Sequence, residues 1–197
     1  GISSGAFMSV QFQVAYSSIV NGAGIVAGGP YYCSQGDSLR ATMHCSCTFD
    51  PAHHLCNVSS SSTDVPTLVS ATSQFAAQAL IDDPANLARQ RVLIVTGDKD
   101  QTVPTPVADQ LSDYYAQVGV PKDNLVTVRL SKAAHTMPTV DYGKACGLSE
   151  SPYLGKCGYD VAKGILGWTY GTLKKPKQGK SSGRLVQFDQ TAYLPKD

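Results

Sequence analysis

The chain of 197 residues carries 42% hydrophobic and 16% charged side chains and a formal net charge of +1, enough apolar content for the core of one ordinary domain and too little charge for a disordered polyampholyte. Near-neutrality leaves little field for counterion release, so nucleic acid is not expected as a partner. A membrane is not expected either, because apolar runs such as Val92 to Val95 fall far short of the roughly 20 residues that a spanning helix needs. The chain opens on Gly1 without a leader-like stretch, which reads as a processed or truncated polypeptide.

Residues 6–18 place Phe7, Val10 and Val14, and also Met8, Phe12 and Ala15, at helical spacings, predicting a helix buried on much of its circumference. Ala23 to Ala27 reads as a short buried strand halted by Gly28, Gly29 and Pro30. Residues 31–64 lack sustained periodicity and hold four cysteines, so they read as a disulfide-tied excursion from the core. A helix is predicted over 66–80, opened by Pro66. The β-branched run Val92 to Thr96 suits a parallel strand covered on both faces. Helix 105–118 follows, with Val107, Leu111, Tyr114 and Val118 on one face. Leu125 to Leu130 is a second strand, preceding SKAAHTMP, and Tyr159 to Leu173 is a last helix with Val161, Ile165 and Trp168 inward. The Lys-rich linker KKPKQGKSSG and a strand-like stretch, Leu185 to Phe188, complete the chain. Alternation of strands and helices predicts an α/β class.

Six cysteines suggest an oxidising compartment. Cys146 and Cys157 bracket a short Gly/Ser/Pro-rich span that a disulfide can close. Cys33, Cys45, Cys47 and Cys56 allow three connectivities, and pairing of Cys33 with Cys45 or Cys47 is preferred. His44, His53 and His54 lie near these cysteines, but the spacing matches no closed zinc-ligand pattern, so disulfides and surface histidines are preferred and no metal is expected. Asn57-Val58-Ser59 fits a glycosylation sequon, meaningful in a eukaryotic secreted protein.

Gly1-Ile2-Ser3-Ser4-Gly5 fits G-x-S-x-G, in which small residues let a strand turn sharply into a helix and expose a serine hydroxyl. A serine needs a base to take its proton and an acid group to orient that base. α/β-hydrolases supply them in the order Ser, Asp or Glu, His, from loops at the carboxyl ends of strands. Asp100, in GDKDQTVP, follows the Val92 to Thr96 strand, and His135, in AAHTMP, follows the Leu125 to Leu130 strand. Asp98 is the competing acid, or a turn residue. Ser3, Asp100 and His135 are therefore the candidate triad, with the Ser4 backbone N–H as oxyanion donor at the positive end of the following helix. No cofactor is needed. Tyr31, Tyr32 and Met137 are candidate walls of an apolar cleft.

GISSGAFMSVQFQVAYS, GAGIVAGGPYYC, VTGDKDQTV, AAHTMPT and CGLSESPYLGKCGYD with GWTYGTL resemble, nearly end to end, the extracellular poly(3-hydroxybutyrate) depolymerases of single-domain, circularly permuted α/β-hydrolase type. The resemblance implies a partial catalytic domain over 1–197, incomplete at both ends, with Ser3 as nucleophile, Asp100 as orienting acid, His135 as base and acid, and a Cys146–Cys157 disulfide. It further implies a secreted, extracellular or periplasmic, monomeric serine esterase acting on polyester. The family continues past the segment resembling GRLVQFDQTAYLP into a His-Gly-Cys stretch that helps build the oxyanion hole, so the isolated chain is expected to be nearly inactive. The alternatives are a small-ester or feruloyl-type esterase, or a catalytically silent polymer-binding module.

Overall fold

A computed structural model of the protein describes residues 1–175 and 183–194. Its elements run α1 (Ser4–Ala15), β1 (Gly22–Val26), α2 (Ser38–Met43), α3 (Val65–Ala77), β2 (Arg91–Gly97), α4 (Thr105–Gln117), β3 (Leu125–Leu130), β4 (Met137–Thr139), β5 (Lys144–Ala145), β6 (Leu154–Lys156) and α5 (Val161–Tyr170). β1, β2 and β3 form one parallel sheet in that order, with Ile25 opposite Ile94 and Val95 opposite Val128. Parallel neighbours need crossovers, which α3 and α4 supply.

The apolar run of β2 has a simple cause: the strand is central and both of its faces are covered. Val92 and Ile94 face a core built with Val10 and Val14 of α1, Leu68 of α3 and Leu111, Tyr114 and Tyr115 of α4. Leu93 and Val95 face the opposite side, where Val161, Ile165 and Trp168 of α5 pack with Met137 and Tyr159. Period-2 alternation along the strand thus divides its side chains between two helical layers. The helix ends follow local chemistry. Proline sits in the first turn of α3 and of α4, where its missing N–H costs no hydrogen bond. The Asp160 carboxylate accepts from Lys163 N at 3.0 Å to cap α5, and Gly171 at φ 79 ends that helix.

Two expectations need correction. Helix α1 is not buried on much of its circumference: Ala6, Val10 and Val14 face the core, whereas Met8 and Phe12 are 65% and 50% exposed. Those two lie on the face toward the outer edge of β1, where they line a groove with Gly22 and Gly24. Leu185 to Phe188 forms no strand. It is largely exposed and pairs with no strand among the described residues. The linker read at KKPKQGKSSG lies mostly outside the described residues.

A second, small parallel sheet, ordered β4-β6-β5, has strands too short to register as periodic patterns. It follows His135 directly and braces it. The excursion between β1 and α3 is tied by Cys33–Cys45 and Cys47–Cys56, and Cys146–Cys157 closes the segment around β5 and β6. No helix among the described residues is long and apolar enough to cross a membrane.

Candidate active site

The first residues run alongside β1 as a strand would. Ile2 bridges Val26 in parallel, Val26 N donates to Gly1 O at 2.9 Å, and Ser3 N donates to Val26 O at 3.0 Å. At Ser3 the backbone turns abruptly, with φ 55 and ψ −128, and α1 begins. A non-glycine residue in this region is strained, and the surrounding bonds hold it there. Ala6 N and Phe7 N both donate to Ser3 O, at 2.8 and 3.0 Å. Gly1 is required sterically, since a Cβ there would lie 2.3 Å from Gly5 O. The Ser4 N–H is the first amide of α1, ahead of the helix's first intrahelical hydrogen bond and at the positive end of its dipole.

Asp100 stands in the loop after β2 and is 5% exposed. Its Oδ1 accepts from Thr102 N and Val103 N, both at 2.8 Å, which fixes the carboxylate plane. Its Oδ2 lies 2.8 Å from His135 Nδ1. A carboxylate only accepts, so this contact puts the imidazole proton on Nδ1 and leaves Nε2 bare as an acceptor. Asp98, the competing acid, is exposed, and its backbone N–H donates to Leu130 O at 3.1 Å.

His135 is 7% exposed and is held from the far side by the Cys146–Cys157 segment. Ala134 N donates to Cys146 O at 2.9 Å, and His135 N donates to Ser149 Oγ at 3.0 Å. The acid and histidine loops approach through Gly97. A Cβ at that position would lie 2.2 Å from Ala133 O, so glycine lets the two loops meet. Lys99 N then donates to Ala133 O at 3.0 Å.

Two cavities flank Ser3. One, of about 400 Å³, is lined by Ser3, Phe7, Met8, Val103 and the Cys33–Cys45 disulfide. The other, of about 510 Å³, brings Ser3 and His135 together with His54, Thr102, Ser149 and Tyr153. No hydrogen bond joins Ser3 Oγ to the imidazole among the described residues, a contact that in unliganded enzymes commonly tightens only when substrate binds. Ser3 and His135, from distant segments, thus line one cleft, and Asp100 stays in contact with His135 through the 2.8 Å bond to Nδ1.

The proposed cleft walls are corrected. Tyr31 is buried against Phe75 and Tyr114, and Tyr32 packs edge-on against Phe75. Met137 belongs to the core under α5. Large apolar side chains in an α/β fold go first to the core, and these three follow that rule. The actual walls include residues that the sequence reading missed. His54 and Ser149 sit in loops whose fold is set by disulfides, and no local pattern marks them. The Thr102 and Val103 amides are different, because an aspartate followed by Gln-Thr-Val is an Asx-turn signal. Cys45, Cys47 and Cys56 are all disulfide-bonded, and no group of three or more His, Cys, Asp or Glu among the described residues is arranged to hold a metal ion.

No family model matches the chain. It is 38% identical over 196 residues to a poly(3-hydroxybutyrate) depolymerase of Delftia acidovorans, a match spanning 98% of this chain and 37% of that protein. It is 34% identical over 199 residues to a polyhydroxybutyrate depolymerase of Talaromyces funiculosus, spanning 97% and 52%. The fold superposes on the crystal structure of PHB depolymerase from Penicillium funiculosum with a TM-score of 0.81 at 32% identity, covering 96% of this chain and 56% of that one. A structure of a PHB depolymerase serine-to-alanine variant complexed with an R3HB trimer gives a TM-score of 0.81 at 31% identity, with the same coverage. The chain therefore spans between about a third and just over half of the length of the proteins it matches. In sequence and in fold, nearly the whole of this α/β chain is homologous to part of a poly(3-hydroxybutyrate) depolymerase.

Proposed function

We propose that residues 1–197 form part of the single catalytic domain of a secreted, monomeric serine esterase that hydrolyses the ester bonds of poly(3-hydroxybutyrate) or a related polyester. The observation that carries this reading is a serine at φ 55 before a helix, sharing a cleft with a histidine whose Nδ1 is 2.8 Å from a buried aspartate. Ser3 Oγ attacks the ester carbonyl carbon while His135 Nε2 takes the hydroxyl proton, and the Asp100 carboxylate stabilises the resulting imidazolium. The Ser4 N–H donates to the oxyanion. Collapse of the tetrahedral intermediate breaks the bond to the alcohol oxygen, which receives the proton from His135. Water, deprotonated by the same histidine, then releases the hydroxyacid and restores Ser3.

The apolar cavity beside Ser3 suits short hydroxyacid units, and the names of the similar proteins support polymer as the substrate. The three disulfides support an oxidising, extracellular setting. The test compares release of hydroxybutyrate from polymer particles with hydrolysis of soluble short-chain esters by the complete protein and its Ser3→Ala variant. Polymer and soluble esters both cleaved, and neither by the variant, is the expected result. Soluble esters alone cleaved would point to a small-ester esterase, and adsorption to particles without cleavage to a silent binding module.

A further inference from the structure

Thr96, near the end of β2, and Thr136, next to His135, are 2% and 3% exposed. Neither hydroxyl has a hydrogen-bond partner among the described residues. A buried hydroxyl left unpaired is costly, and valine would fill the same volume without that cost. Both threonines line a small cavity of about 10 Å³, and Asp100 forms part of its wall. That volume is about what one water molecule needs, and two or more polar partners are what such a water requires. The remaining wall is mostly apolar, including Val26, Val95 and Ala133. Gly155 of β6 lies directly against Thr136, since a Cβ there would sit 2.5 Å from Thr136 Cγ2 and 2.9 Å from its Oγ1. The Thr136 side chain is therefore confined between β6 and the cavity.

We infer that this cavity binds one ordered water, hydrogen-bonded to Thr96 Oγ1 and Thr136 Oγ1. The water pins the strand that leads into the acid loop to the residue adjoining the histidine. Thr96 and Thr136 are then positioning residues, acting through Asp100 and His135 without touching substrate; this functional part rests on the triad proposed above. A high-resolution crystal structure of the complete protein decides the structural part. Density within hydrogen-bond distance of both hydroxyls is expected, whereas a dry cavity, or hydroxyls paired to protein groups, overturns the inference.

Kinetics decide the positioning role. Thr136→Val and Thr96→Val are each expected to lower kcat roughly three- to tenfold with KM unchanged, and the double variant to lose little more than either single one. Thr136→Ser, which keeps the hydroxyl, is expected to restore kcat. Equal rates in Thr136→Val and Thr136→Ser, or additive losses, would refute the positioning role. If a valine variant does not fold, the water density in the unmodified protein still decides. Failure of the esterase reading is separately visible, because a protein without ester hydrolysis would still show or lack the water.

Discussion

Gly97→Ala isolates the meeting of the two loops that carry the proposed acid, Asp100, and the proposed base, His135. A methyl group there would sit 2.2 Å from Ala133 O, 2.8 Å from its carbonyl carbon and 2.9 Å from its Cβ. Ordinary carbon–oxygen contact needs about 1 Å more, and the obstacle is backbone, so one loop must move by that distance. Movement stretches the Lys99 N to Ala133 O bond, now 3.0 Å, and with it the 2.8 Å contact between His135 Nδ1 and Asp100 Oδ2. A misplacement of about 1 Å in a catalytic group costs on the order of 100-fold in rate, and overpacking adds about 1–3 kcal/mol of destabilisation. The assay is hydrolysis of a soluble chromogenic ester by the complete protein, paired with thermal unfolding. Gly167→Ala in α5 is the control, because a Cβ there meets nothing within 4 Å; it should leave activity intact and raise stability by about 0.5–1 kcal/mol. A Gly97→Ala protein retaining more than about half of the wild-type kcat would refute the reasoning, since the displacement should cost far more.

Three further outcomes follow from the same geometry. Tyr115, fully buried, donates to Gln13 Oε1 at 2.6 Å, and Gln13 Nε2 donates to Gln90 Oε1 at 2.8 Å; Tyr115→Phe leaves that acceptor unpaired and should cost about 1–3 kcal/mol in denaturant unfolding. Replacing both Cys146 and Cys157 by alanine opens a short loop whose closure is worth about 3 kcal/mol. Because that loop supplies the Cys146 and Ser149 acceptors behind His135, steady-state kinetics should show kcat falling more than KM rises. Hydrogen bonds from the Ser18 side chain and backbone hold the Asp82 carboxyl below its ordinary range. A depressed folded value contributes stability above the unfolded pKa of about 3.9 and loses it as pH falls through the folded value. Unfolding measured against pH should therefore show a shallower acid limb in Asp82→Asn, with lower stability at neutral pH.

What could be read from the sequence follows the range of the forces involved. β2 and α4 are legible because burial on two faces or on one stripe writes a local period, and Val92 to Thr96 and Val107, Leu111 and Tyr114 carry it. The turn at Ser3 is legible because a strained backbone restricts which residues fit around it, as the close approach of Gly1 to Gly5 illustrates. Periodicity says which residues are apolar but not what covers them. It therefore misjudged Met8 and Phe12, whose face lies toward the outer edge of β1, and read a strand into Leu185 to Phe188, which has no partner strand among the described residues. The bracing of His135 by Cys146 and Ser149, and the place of His54 on the cleft, depend on disulfide loops and on strands of two or three residues. Such elements are fixed by long-range contacts that leave no local pattern.

The central claim is that Ser3 is a nucleophile activated by His135 and Asp100. Its most direct measurement is mass spectrometry of the complete protein after treatment with an organophosphate. One adduct per chain, located on Ser3 and lost in Ser3→Ala and, through slowed reaction, strongly reduced in His135→Ala, is the predicted result. A protein that hydrolyses its ester substrate yet takes no adduct on Ser3, or labels equally after Ser3→Ala, would contradict it.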